Sequence, residues 1–264
     1  MSAGRHFLKA MQALSHLLMG LCLSVGLAQW ASAAEEKPPH WGLTLEAGPA
    51  WFSRNDARIP NDAQGDRFDV TDLSGSGATP SFRINLDYHW DQYHSVRATY
   101  APLRIAGTNV LGDDTRFAGE LFEAGEPTKA TYIFNTYRLG YRYTWHESDR
   151  WQTRVGASLL IRDANIRLQQ GNTVADDPDL GVVPLLSLQI TRFLSPRWSA
   201  ELDVEGLAAP QGRAFDAALA AQYQWHPNIT TRVGYRTLEG GADNDSVYTF
   251  AWVHYLFAGL RLAF

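Results

Sequence analysis

The sequence predicts an all-β fold: a closed, up-and-down antiparallel barrel that crosses a membrane with its strands. Three observations carry this. Apolar and polar residues alternate in ten runs from residue 41 to the end of the chain, the period of strands whose two faces meet different surroundings. Six tryptophans fall at one end of those runs. One face of the runs is aliphatic and aromatic, and the other is crowded with arginines and carboxylates. Ten strands is the count the turns support, with eight or twelve as the alternatives.

The first 33 residues stand apart from the fold. Arg5 and Lys9 precede an apolar run from Met11 to Leu27, which ends in Ala31-Ser32-Ala33. That order reads as a secretory signal peptide cleaved before Ala34, leaving residues 34–264 as one barrel domain. The single cysteine, Cys22, lies in the signal, so the mature chain has no disulfide, thiolate or zinc–thiolate chemistry. Cleavage also removes two positive charges and no negative ones, taking the net charge from −5 to −7. That opposes nucleic acid as a partner.

The strands are expected at 41–54, 79–90, 94–104, 131–145, 150–168, 181–193, 197–206, 214–225, 229–238 and 248–264. Short turns follow every second strand: WDQYH (90–94), WHESDRW (145–151), FLSPRW (193–198) and WHPNI (225–229). Longer Gly- and Asp-rich connections, 55–78, 105–130, 169–180, 207–213 and 239–247, lie at the opposite end.

The first strand opens at Trp41 and carries Glu46 on its polar face. The second ends at Trp90, with Phe82, Ile84, Leu86 and Tyr88 on the apolar face and Arg83 and Asp87 opposite. Arg97 marks the polar face of the third. The fourth ends at Trp145, with Tyr137, Leu139, Tyr141 and Tyr143 against Arg138 and Arg142. The fifth opens at Trp151, with Val155, Ala157, Leu159 and Ile161 against Arg154 and Arg162. The seventh opens at Trp198 and sets Ala200, Leu202 and Val204 against Glu201, Asp203 and Glu205. The eighth ends at Trp225, with Phe215, Ala217, Leu219 and Tyr223 against Asp216. The ninth contributes Arg232 and Arg236 to the polar face, and the tenth contributes Arg261 and closes at Phe264.

Trp41, Trp90, Trp145, Trp151, Trp198, Trp225 and Phe264 therefore mark one level of the sheet. A membrane interface collects indoles in this way, because the ring is amphipathic. A soluble β-sandwich would explain the alternation but not the level. A bilayer tolerates a sheet only when it is closed, since an open edge leaves backbone groups unpaired in hydrocarbon. Apolar side chains then face lipid, and the ions face a lumen.

The final residues, FAGLRLAF, with Phe264 last and Leu262 and Leu260 at alternate positions, resemble the carboxy-terminal signature of the small bacterial outer-membrane β-barrel proteins. That broad class includes OmpA-like, OmpW-like and lipid A modifying barrels. The resemblance covers the whole mature chain and is architectural. It implies residence in the outer membrane, folding through the barrel-assembly machinery, and contact with outer-membrane lipid and lipopolysaccharide. The ten-stranded omptin proteases of the class use an Asp dyad with an Asp–His couple high in the barrel. No histidine of this sequence matches that couple.

Nine inward arginines facing six inward carboxylates predict a salt-bridged, closed interior, with the acids of the seventh strand meeting arginines across the lumen, where Arg83 and Arg97 lie, or on adjacent strands. The function that follows is non-catalytic, in envelope integrity or surface interaction. The alternatives are a narrow, porin-like pore for small solutes and an outer-leaflet lipid A hydrolase. The hydrolase would need His254, with Ser246 and Asp243 or Glu239 completing a triad. Parity from Phe264 puts His254 on the lipid side with Trp252 and Phe250, so no catalytic residue is expected. No cofactor or resident metal is expected either. The acidic connections offer at most weak divalent-cation sites and read as solvated tips, while Arg104, Arg116 and Lys129 flank the second where lipopolysaccharide phosphates would lie. The tight 207–213 connection should place Arg213 near Asp216.

Overall fold

Alternation becomes strands wherever the two faces meet different surroundings, and the long strands close on themselves. A computed structural model describes residues 40–264 apart from Gln211, so the proposed signal peptide 1–33, with Cys22, lies outside the described residues. In chain order the elements are β1 (Trp41–Arg58), β2 (Phe68–Asp69), α1 (Val70–Ser74), β3 (Thr79–His89), β4 (His94–Ala101), β5 (Arg104–Val110), β6 (Thr115–Phe117), β7 (Glu120–Phe122), β8 (Pro127–Glu147), β9 (Trp151–Gln170), β10 (Thr173–Phe193), β11 (Trp198–Ala209), β12 (Gly212–His226), β13 (Ile229–Asp243) and β14 (Tyr248–Ala263).

The circuit runs β1, β3, β4, β8, β9, β10, β11, β12, β13 and β14, every neighbour antiparallel. It closes where β14 pairs with β1 from Gly42 opposite Ala263 to Arg58 opposite Tyr248. That is the ten-stranded closed barrel of the sequence reading. Ten strands enclose little more room than the eight that side chains nearly fill.

The faces separate as alternation requires. Leu139, Leu159 and Leu219 are 63%, 53% and 60% exposed on the outer surface, while Asp87, Arg142 and Asp203 are buried inside. Tryptophans 41, 90, 145, 151, 198 and 225 are exposed at the short-turn end, together with Phe264. There the backbones of Trp41 and Phe264 exchange hydrogen bonds of 2.9 Å.

The far end differs from the expected ring of solvated loops. Of the expected connections 55–78 and 105–130, residues 55–58, 105–110 and 127–130 continue the wall strands. The segments between them form a cap with its own apolar core, in which Val70, Leu73, Phe117 and Phe122 meet Phe52, Tyr132 and Leu168 of the walls. The acidic residues of these stretches had masked the apolar ones between them. In the cap α1 lies against β5, where Gly107 is required: a Cβ there would sit 2.5 Å from the Ser74 carbonyl oxygen. The third strand stops at Ala101 and resumes as β5, because Pro102 has no N–H to continue the ladder.

Residues 169–180 are not a loop. β9 and β10 stay paired up to Gln170 and Thr173, which makes this hairpin much taller than its neighbour β11–β12.

Candidate functional site

The lumen at mid-height is one connected set of ion pairs. Strand alternation projects the three acids of β11 inward, and the narrow circuit brings Asp203 and Glu205 against β4 and β8 and Glu201 against β13. Arg97 donates to Asp87 at 2.6 Å and to Asp203 at 2.9 Å. Arg142 donates to Asp203 and Glu205, both at 2.9 Å, and Arg138 donates to Glu205 at 2.5 Å. Asp216 gathers Arg236 at 2.6 Å, Arg138 at 3.2 Å and Arg83 at 3.3 Å. Arg232 links Glu201 at 2.8 Å to Glu46 at 3.2 Å, and Glu46 lies 3.6 Å from Arg236.

Six arginines and six carboxylates are thus joined in a formally neutral set. Arg97 crosses to Asp203 as expected, whereas Arg83 pairs with Asp216 and not with β11. Desolvating so many charges is costly, and only this mutual pairing offsets it. The space left among Arg83, Arg97, Arg138, Arg142, Asp203 and Asp216 is about 10 Å³, close to the lower limit for one water.

Three of the predicted lumen arginines stand outside the set. Arg154, nearer the short-turn end, reaches only Gln189, at 3.3 Å. Neither it nor Arg261 has a carboxylate within ion-pair distance among the described residues. Arg162, higher in the lumen, pairs with Asp179.

That last pair rims a second feature which sequence reasoning missed. Above the network, on the side of β9 to β13, lies a cavity of about 390 Å³. Asp216 and Arg138 form its floor, Leu160, Val183, Leu185 and Leu238 its sides, and Arg162, Asp177 and Asp179 its upper wall. Burial pushes the Asp177 carboxyl above its ordinary pKa, helped by the charges of Asp179 and Asp176. In the cap, burial would likewise raise Asp56. Hydrogen bonds from Arg54 and Arg67, each 2.6 Å, outweigh it and hold that carboxyl below its ordinary value.

The acidic stretch 175–181 lies within β10 and not at a loop tip. Its Asp179 bonds Arg162, and its Asp176 sits 3.7 Å from Arg167, so arginines take the place suggested for weakly bound cations. Arg213 also departs from expectation: three residues from Asp216 along a strand, it falls on the outer face and pairs with Glu239. Alternation forbids the expected contact.

His254 lies on the outer surface, as parity required, but not with the partners named for it. Ser246 accepts from the Asn61 N–H through its carbonyl, and Asp243 accepts from the Asn61 amide at 3.1 Å, both at the capped end. Glu239 is held by Arg213. The ring instead has Ser53 Oγ 2.8 Å from Nε2 and the Tyr235 hydroxyl 2.6 Å from Nδ1, and it stacks on Trp51 at 5.6 Å. Ser53 faces outward by the same alternation that turns Phe52 inward, and closure of β14 on β1 sets it beside His254. The register shift between Phe52 and Arg54 acts beyond it, turning Asn55 and Ala57 inward, as bulges do.

No family model and no curated protein matches the chain. Among solved structures, the outer membrane protease OmpT from Escherichia coli superposes with a TM-score of 0.52 at 9% identity, covering 86% of this chain and 98% of that one. An outer membrane channel from Pseudomonas putida F1 gives 0.42 at 8% identity over 90% and 100%. Neisserial surface protein A gives 0.33 at 15% identity over 87% and 100%. At these identities the likeness is one of fold: the chain has the architecture of the small bacterial outer-membrane β-barrels.

Proposed function

We propose that the protein is an integral outer-membrane barrel, exported by a cleaved signal, that serves envelope integrity or surface interaction and passes no solute through its length. One observation carries this reading: the closed set of six arginines and six carboxylates across the lumen, with only about 10 Å³ between them. A porin-like conduit needs a continuous polar path, and a buried, mutually paired ion network with so little space between its members supports a closed lumen. Lipopolysaccharide is the proposed partner at the capped end, where Arg104, Arg116 and Lys129 are exposed. In planar lipid bilayers the purified barrel is expected to give no discrete current steps. Reproducible unitary conductance from several preparations would overturn the closed lumen.

A second reading, lipid ester hydrolysis at the outer leaflet, is favoured by a single observation, the Ser53–His254 contact of 2.8 Å beside exposed aromatic rings. A serine hydroxyl within reach of an imidazole nitrogen is the beginning of a nucleophile–base pair. The atom on the other nitrogen is a tyrosine hydroxyl, however, where the triad template has a carboxylate. The non-catalytic reading expects lipid A from cells overproducing the protein to keep its acyl chains. Loss of an ester-linked chain that is abolished by Ser53→Ala would establish the enzyme instead.

A further inference from the structure

Above the pair Leu186–Gly206 the wall between β10 and β11 parts. β10 continues to Thr173, paired with β9 throughout, whereas β11 ends at Ala209 and returns as β12. No strand among the described residues pairs with the freed edge of β10. The Phe193 N–H bonds the Arg150 carbonyl on the β9 side, and the Leu194 N–H bonds the Trp198 carbonyl on the β11 side. Since β10 follows β9 without a register shift, its even-numbered residues aim their backbone groups at the parting. Pro178 and Pro184 are both even-numbered. Proline has no N–H, so the edge lacks one donor at Pro184, within the apolar band, and another at Pro178 above it, and strand addition is blocked at both.

The opening lies at a defined depth. Leu186 is seven residues above Phe193, which at about 3.3 Å per residue and a tilt near 40° places it roughly 18 Å above the tryptophan level. The apolar band of such barrels is about 25 Å tall, so the parting begins within its upper third, among the acyl chains of the outer leaflet.

The upper cavity runs through this parting. Its lining includes Val182, Val183, Pro184 and Leu185 on β10 and Leu207 and Ala209 on β11, so it borders the parting from both of the unpaired edges. On the outside, Val182 of this lining is 65% exposed, on the same outer face as Leu186, also 65% exposed. On the inside it ends on the ion-pair floor at Asp216 and Arg138.

We propose that the opening between β10 and β11 admits the acyl chain of an outer-leaflet lipid into the upper lumen. The chain enters sideways, lies against Leu160, Val183 and Leu185, and stops at the ion pairs. A volume of about 390 Å³ is within the range of apolar small-molecule pockets. The inference rests on the barrel lying in a membrane and is independent of whether the lumen conducts.

The test is photolabelling of the native barrel in phosphatidylcholine vesicles that contain a phospholipid with a diazirine near the end of one acyl chain, with labelled residues located by mass spectrometry. Adducts on lumen-facing Leu160, Val183 or Leu185 are expected beside those on outward Leu219. Ala164→Trp and Ala214→Phe, each filling the cavity from its wall, should reduce the inner adducts at least tenfold and leave the Leu219 adduct unchanged. The heat-dependent gel shift of a folded barrel serves as the control that each variant has folded. Labelling confined to outward residues in the native protein, or inner labelling undiminished in both folded variants, would overturn the proposal.

Discussion

Replacing Asp216 by alanine is expected to destabilise the folded barrel by about 3 to 5 kcal/mol, the cost of breaking a buried ion pair from one side. Asp216 is 3% exposed and meets three guanidinium groups, those of Arg236, Arg138 and Arg83. Arg236 keeps Glu46, and Arg138 keeps Glu205. Arg83 has no other carboxylate within ion-pair distance among the described residues, so its buried charge is left without a partner. Exchanging Arg83 for methionine in the same chain should therefore recover part of the loss. The measurement is urea unfolding in lipid vesicles, followed by tryptophan emission and by gel mobility. Glu239→Ala removes an exposed pair with Arg213 and should cost no more than about 1 kcal/mol. Equal losses at Asp216 and Glu239 would contradict a cohesive role for the network.

The second large effect belongs to the outer surface. Leu219→Arg should cost roughly 2 to 4 kcal/mol in vesicles, since it sets a cation at mid-height among acyl chains. Leu219 is 60% exposed and lies near the centre of β12. In a water-soluble protein that exposure would make the change nearly neutral, so its size reports on the solvent. Gln222→Arg, on the inward face three residues away, should be mild, because the lumen there already carries polar partners such as Ser199. Similar tolerance at both positions would show that the outer surface does not face lipid.

Much of this barrel is legible residue by residue. Alternation assigns Leu139 and Arg138 to opposite faces, the turns count the strands, and the tryptophans mark one end. The carboxylates of β11 were readable as inward, although their partners were only partly so. Arg97 was expected across from them, whereas the contacts of Arg138 and Arg142 depend on how the closed circuit sets β8 against β11. The triad suggested around His254 failed because Ser246 and Asp243 belong to the turn at the capped end, too far up the wall. The neighbour that is present, Ser53, lies some 200 positions away in the chain and is brought there only when β14 closes on β1.

The cap and the lateral opening were not legible. In 55–78 and 105–130 acidic residues and glycines are interspersed with the apolar ones without a strand period, and only the closed barrel mouth offers Val70, Phe117 and Phe122 a surface on which to bury. The height of a wall is likewise a property of two strands together: nothing within β10 says that β11 will turn back at Ala209.

The sequence by itself determined the barrel and, for most positions, which residues face outward or into the lumen, because the direction of a side chain follows its place in a two-residue repeat. It favoured ten strands, and the pairing of β14 with β1 fixed that number. The tertiary structure alone decided the ion-pair partners, the capped mouth and the gap beside Pro178 and Pro184. Each of those depends on the register between strands far apart in the chain, which exists only once the sheet has closed.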